Sequence, residues 1–282
     1  MIDFHNLGKI YLIGEIGINH NGDIQIAKKL IDAIHASNWD CAKFQKRNPD
    51  ISVPEKQKSI KRKTPWGQMT YLDYKHRIEF GRDEYDNLNR YCIEKPLDWS
   101  MSIWDLDSLE FALKYNFPFL KIPSAMLTNQ ELLKSAAQTE IPILMSTGMS
   151  TLREVDNAVE LLKKYASSYA IMHCNSSYPT NPNELNLNLI PMLKERYDCI
   201  VGYSGHEFDL EPTVIAIALG AKIIERHITL SHDMWGTDQK ASLEVHAMDL
   251  LAKRIKSIEN ILGDGKKIVT ESEKPVREKL RI

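Results

Sequence analysis

Several things are scarce in this 282-residue chain, and each scarcity removes a class of function. No run of ~18 apolar residues occurs, so no stretch reads as a membrane-spanning helix. The first residues, MIDFHNLGKIYLIGEIG, enter a strand-like pattern at once without the layout of a signal peptide, and the expected location is the cytoplasm. The formal net charge is only −2, which gives no basic field for nucleic acid. The four cysteines, Cys41, Cys92, Cys174 and Cys199, are widely spaced with no CxxC, so buried free thiols are expected rather than disulfides or a zinc site. There is no GxGxxG fingerprint, Walker motif, internal repeat or low-complexity tract.

What is present is an alternation of short apolar runs with helix-like segments. With 43% apolar residues, the chain can build one large core. Eight strand candidates begin at Ile10, Cys41, Asp98, Phe119, Ile143, Ala170, Cys199 and Lys222, and a helix candidate follows each. Thr128 with Glu131, and Thr151 with Glu154, read as capping boxes that start two of the helices. Eight such pairs predict a (β/α)8 TIM barrel over residues 1–282. A long aromatic insertion at Lys46–Gly81 reads as a structured lid or rim, and the charged tail from Gly263 as a surface segment.

In such barrels chemistry sits at the C-terminal ends of the strands. Every expected strand here ends in polar groups, among them Glu15, Lys43 with Gln45, Lys121 with Ser124, Ser146, Asn175 with Ser176, Ser204 with His206, and Glu225 with His227. Residues at i and i+2 of a strand face the same way, so Lys-x-Gln, Ser-x-His and Glu-x-His each aim a pair into one mouth. His206 and His227 on neighbouring strands can hold one divalent ion, open to Mn²⁺, Mg²⁺, Fe²⁺ or Zn²⁺, and Asp238 can reach over the same spot. Lys43 and Lys121 can form a Schiff base or, with Ser124, Asn175, Ser176 and Ser204, an anion cradle. Glu15 reads as a general base or an ion-pair partner, and His20 as a site residue or a loop brace. Tyr178 and Trp235 are sugar platforms or rim packing, and Asp238 and Lys240 grip a polyhydroxyl substrate or face solvent.

The segments GEIGINHNGD, KFQ, TPWGQMTYLDYK, KIPSAMLTN, STGMS, HCNSSYPT, GYSGHE, IIERHIT and DQKASL occur in order from residue 14 to 243. Together they resemble the bacterial sialic acid synthases, which condense phosphoenolpyruvate (PEP) with an N-acetylated amino sugar. The resemblance implies a TIM barrel, a divalent metal (usually Mn²⁺, with Mg²⁺ as an alternative) and C–C bond formation with release of phosphate by C–O cleavage. It also implies roles: His206 and His227 as metal ligands, Lys43, Lys121, Ser124 and Ser204 on PEP with Gln45 and Ser176 beside them, Glu15 next to the acceptor as a base, and Tyr178 and Asp238 on the sugar. N-acetylmannosamine is the default acceptor, a 6-phosphorylated or diacetamido sugar an alternative, and a homodimer is expected.

Three departures stand out. Met126 replaces a glutamate that contacts the sugar in sialic acid members, and Gly205 replaces an aspartate between Ser204 and His206. The family's antifreeze-like capping domain, with its sugar-contacting arginine, is not seen before Ile282; the 46–81 insertion is a candidate substitute. These departures keep a non-catalytic sugar- or partner-binding barrel in view, and the two lysines keep a class I aldolase in view.

Overall fold

A computed structural model describes residues 1–282, apart from the side chain of Glu259. Eleven strands follow in chain order: β1 Tyr11–Gly17, β2 Cys41–Lys46, β3 Lys61–Thr64, β4 Gly67–Thr70, β5 Asp98–Ile103, β6 Leu120–Ile122, β7 Ile143–Ser146, β8 Tyr169–Cys174, β9 Val201–Gly205, β10 Ile223–Thr229 and β11 Leu243–Glu244. Eight of them, β1, β2 and β5 to β10, pair in parallel in sequence order, and β10 pairs back onto β1. This is the closed (β/α)8 barrel the alternation predicts. All eight expected strands form, though most begin one or two residues away from the expected start and run further toward the mouth.

The residue pattern within each strand explains where the core ends and the site begins. On β1, Leu12 and Ile16 face out into the main core under the helices, while Tyr11 and Ile13 face in. Ile13 joins Phe4, Cys41, Phe119, Leu144, Ala170, Met172 and Ile223 in an apolar plug that fills the barrel's lower interior. One pleat higher, the inward positions change character. Ile13 gives way to Glu15, Cys41 to Lys43, Leu144 to Ser146, and Ile223 to Glu225 and then His227. A period-2 chain thus stacks a dry floor beneath a polar layer without any break in the strands.

Helix starts are set by local side chains. Asp23 accepts from the backbone N–H groups of Gln25 and Ile26, and Thr151 with Glu154 makes the expected capping box. The Thr128–Glu131 box does not form. A 3₁₀ turn at Ser124–Met126 moves the next helix to Gln130–Ala137, and Asn129 takes the Leu132 N–H itself.

The insertion between β2 and the helix Arg82–Glu94 is ordered as two single-turn helices, the β3–β4 hairpin and a helix at Tyr71–Ile78. It docks through Ile18, Tyr74 and Ile78, with Trp235 of the β10–β11 loop set edge-on to Tyr74 at 5.1 Å. Trp235 thus packs between rim and insertion. Residues 260–282 are exposed and carry one further helix, Lys274–Leu280. No helix among the described residues is long and apolar enough to cross a membrane.

Candidate active site

The polar layer opens into a cavity of about 280 Å³ at the C-terminal strand ends. Ten of the eleven residues to which the resemblance gives roles line it: Glu15, Lys43, Gln45, Lys121, Ser124, Ser176, Tyr178, Ser204, His206 and His227. The strand register brings them together. Glu15 is opposite both Lys43 and His227, and Ser204 is opposite Glu225. Asp238 is the exception. It stands behind His227, with Oδ2 3.7 Å from Nδ1, and is not part of the cavity wall.

The floor is a four-charge cluster. Lys43 Nζ lies 2.5 Å from Glu15 Oε2 and 3.6 Å from Glu225 Oε2, while Lys121 Nζ lies 2.7 Å from Glu225 Oε2. All four side chains are at most 5% exposed. Burial opposes every one of these charges, and the pairing decides which survive. Against its burial, Glu225 is held down at about 2 by Lys121 and Lys43. Lys43 is raised, because Glu15 and Glu225 outweigh its own burial. Burial dominates at the other two: Lys121 is lowered, with Lys43 adding repulsion, and Glu15 is raised. Glu225 is thus the hub of the floor. Its place in the Glu-x-His pair was legible in the sequence, but its bonds to two lysines from distant strands were not.

Neighbouring hydroxyls complete the floor. Lys43 donates to Ser102 Oγ at 2.8 Å, and Ser204 donates to Glu225 Oε1 at 3.1 Å, so Ser204 steadies the hub carboxylate. Gln45 Nε2 donates to Glu15 Oε1 at 3.0 Å. Ser146 Oγ is buried at the cavity wall with no partner among the described residues. Ser124 Oγ accepts the Gly148 N–H at 3.0 Å. A Cβ on Gly148 would stand 2.3 Å from Ser176 Oγ and 2.8 Å from Ser124 Oγ, so only glycine lets the two hydroxyls converge there. Gly148 was missed as a site residue; the glycine of STGMS was its signal. Gly17 is a second required glycine. Its φ is +53°, and a Cβ would crowd Gln45, Glu15 and His227. Asn175 does not join the cradle, because its amide is drawn away to Glu184 O.

The imidazole rings of His206 and His227 lie 5.3 Å apart, with Tyr178 stacked over His206 at 4.1 Å and edge-on to His227. His206 Nδ1 hydrogen-bonds the backbone oxygen of Asn175 at 2.6 Å, which leaves Nε2 as the free nitrogen. His227 is pushed down to about 3, chiefly by burial, so its ring is neutral, and its Nδ1 has no hydrogen-bond partner among the described residues. Two imidazoles with bare nitrogens fit a divalent ion that keeps open positions. Among the described residues no set of three His, Cys, Asp or Glu closes around one point.

Other expectations resolve as follows. His20 lies outside the cavity: it stacks on Phe80 at 3.9 Å, its Nδ1 accepts the Gly22 N–H, and burial holds it near 3. Met126 packs against the main core, and Ala125 takes the place at the cavity wall. The space left by Gly205 is not empty. A Cβ there would fall 2.7–2.8 Å from the carboxylate oxygens of Glu207, which pairs with the wholly buried Arg226 at 2.9 Å and accepts from Tyr203. A carboxylate thus reaches this place from two residues further on. Arg226 faces outward from β10 and also bonds the Glu207 and Asp209 carbonyls and Thr213, which ties down the loop after His206.

Comparison with known proteins gives the family. Residues 30–267 match the NeuB family. The chain is 38% identical over 252 residues to the N-acetylneuraminate-9-phosphate synthase of Drosophila melanogaster, covering 87% of this chain and 67% of that protein. It is 34% identical to the N,N'-diacetyllegionaminic acid synthase of Campylobacter jejuni, over 94% of this chain and 81% of that protein. The N-acetylneuraminic acid synthetase of Leptospira borgpetersenii, solved with citrate, superposes with a TM-score of 0.88 at 30% identity, over 98% of this chain and 94% of that one. On its barrel, its strand-end motifs and these matches, the chain belongs to the NeuB family.

Proposed function

We propose that this barrel condenses PEP with the open-chain aldehyde of an N-acylated amino sugar, giving a nonulosonic acid and inorganic phosphate, with a divalent ion (Mn²⁺, or Mg²⁺ in its place) at His206 and His227. The observation that carries this reading is the buried lysine pair facing convergent serines, one wall away from two free imidazole nitrogens. The chain is a PEP-dependent condensing transferase of the NeuB family. The relatives' products differ in acyl pattern and in phosphorylation, so their names alone leave the acceptor open.

The chain's own groups suit each part of the reaction. Ser124, Ser176, Ser146 and the Gly148 region form a hydroxyl cradle for the phosphate, with Lys121 and Lys43 beneath it. Glu15 and Glu225 balance the two lysines, so the floor is close to neutral and the charge of PEP calls for a further cation. A bound divalent ion supplies that charge and polarises a carbonyl oxygen. Carbon 3 of PEP forms a bond to the aldehyde carbon, and water adds at carbon 2. The carbon 2–oxygen bond to phosphate then breaks. Of the two hydrogens of water, one ends on the new sugar hydroxyl and the other on phosphate. Glu15, raised by burial and opposite both Lys43 and His227, is placed to carry that proton and needs none from bulk solvent. Tyr178, 45% exposed, closes the cavity over the imidazoles.

One observation favours a second reading. Burial lowers Lys121, as a Schiff-base amine requires, although Glu225 holds it at 2.7 Å. The deciding experiment measures phosphate release from PEP with Mn²⁺ against a panel of amino sugars, with and without chelator. Metal-dependent release with one acceptor is expected. Chelator-resistant turnover with borohydride trapping of a lysine adduct would establish the aldolase instead. Absence of PEP binding would favour a non-catalytic barrel.

A further inference from the structure

One side chain on the cavity wall stands between the phosphate cradle and the imidazoles and takes no part in bond making. Cys174 ends β8, opposite Ser204 of β9, and is a free thiol, 8% exposed. Its sulfur meets three groups at once. Ser124 Oγ donates toward Sγ at 3.7 Å, Ser176 Oγ lies 4.0 Å away, and His206 Nδ1 lies 3.9 Å away. The first two are the hydroxyls that converge over Gly148, and the third belongs to one of the two imidazoles. Ser146 Oγ, buried and without a partner among the described residues, lines the same wall, which marks this space as one that receives a polar ligand.

Both the position and the element matter at this spot. Asn175, the next residue, engages the same His206 nitrogen through its backbone oxygen at 2.6 Å. The end of β8 thus holds one edge of the ring with a carbonyl and a sulfur, and Nε2 is left free. Cys174 is also part of a partition. It lines the catalytic cavity and, with Thr147, Met149 and His173, a second cavity of about 320 Å³. An oxygen could not stand in for the sulfur. Hydroxyl hydrogen bonds close to about 2.8 Å. The contacts here are 3.7–4.0 Å. A hydroxyl at position 174 would draw one partner in by roughly 1 Å and release the other two. Sulfur, large and polarisable, touches all three.

We propose that Cys174 is a positioning residue that sets the phosphate cradle against the imidazole pair, one sulfur fixing the separation of Ser124, Ser176 and the His206 ring. The anion and the divalent ion are then held in register, because both are placed from a single atom of β8. The thiol serves neither as nucleophile nor as ligand. It lies beside Nδ1, the ring nitrogen already turned to Asn175, and not beside Nε2. The proposal rests on the condensation reading for which anion fills the cradle and which ion the imidazoles take.

The test compares Cys174→Ala and Cys174→Ser with the wild type, with Cys199→Ser, ahead of β9 and away from the mouth, as the control. Calorimetry with inorganic phosphate and, separately, with Mn²⁺ reads the two halves of the site without turnover. Both Cys174 variants should bind each ion about 10-fold more weakly, as loss of an outer partner of a metal site gives, and the control should not. In turnover, KM for PEP should rise while KM for the acceptor sugar stays at its wild-type value; a merely structural role would move both. Wild-type affinity for either ion in both variants, or rescue by serine, overturns the proposal. With Co²⁺ in place of Mn²⁺, a sulfur-to-cobalt charge-transfer band would make Cys174 a ligand and overturn it as well; none is expected. The unaltered protein gives a readout that needs no variant to fold. Methyl methanethiosulfonate should modify Cys174, and inorganic phosphate at ten times its Kd should slow that about 10-fold by mass action, with Cys199 unaffected. A thiol that does not react, or is not protected, is not at the cradle. Failure of every acceptor to support turnover, with phosphate and Mn²⁺ both bound, would sink the condensation reading and leave the calorimetric comparison to decide this one. Failure of the wild type to bind phosphate overturns both.

Discussion

Glu225 Oε2 is shared by Lys121 at 2.7 Å and Lys43 at 3.6 Å, so a single buried carboxylate compensates two lysines whose strands, β2 and β6, are separated by β5 alone. Glu225→Gln leaves those ammonium groups facing each other with only Glu15 to balance them. Breaking a buried ion pair from one side costs about 3–5 kcal/mol. Urea unfolding should show a loss of that size. The double variant Glu225→Gln/Lys121→Met should recover part of it, and a stability unchanged in Glu225→Gln would refute the hub role.

Gly148→Ala places a methyl group 2.3 Å from Ser176 Oγ and 2.8 Å from Ser124 Oγ. The two hydroxyls must then part, and the phosphate cradle with them. Displacements near 1 Å at a reacting group cost about 100-fold in rate. A fall of that order in kcat/KM for PEP is expected with the circular dichroism spectrum unchanged. Wild-type kinetics in this variant would remove Gly148 from the site.

His206→Ala and His227→Ala each delete one of the two imidazoles whose rings lie 5.3 Å apart. Either should weaken Mn²⁺ binding in calorimetry at least 10-fold, since losing partners of a metal site costs about 10–100-fold. Metal-dependent turnover should vanish with it. Undiminished Mn²⁺ affinity in both variants would exclude the pair as ligands.

His20 is buried against Phe80 and held neutral down to about 3, whereas an unfolded histidine titrates near its usual 6.5. The folded-state value is the lower one, so the unfolded chain binds the extra proton between those limits. The stabilising contribution of neutral His20 is therefore complete above pH 6.5 and is lost as pH falls toward 3, by about 2 kcal/mol at pH 5. His20→Phe should flatten that part of the stability–pH curve. An identical slope in the variant would show that other groups set it.

The barrel was legible because its information is local. Each inward strand position repeats every two residues, so the change from Ile13 to Glu15 or from Ile223 to Glu225 and His227 marks both the floor and the mouth without reference to any other strand. The same logic found His206 and His227 as a pair. It failed where partnership depends on what lies across the mouth. Asn175 stands among cradle residues in sequence, yet Glu184 O draws its amide away. Gly205 reads as a lost carboxylate, yet Glu207 folds into the space that glycine leaves.

Strand order and the identity of the polar layer follow from this sequence alone, because backbone periodicity and apolar burial act residue by residue. Which carboxylate holds which lysine was decided only by closure of β10 onto β1 and by docking of the 46–81 insertion over the rim. Those steps bring groups tens to hundreds of residues apart within a few ångströms, where low dielectric makes pairing, rather than residue type, set the charge of each group.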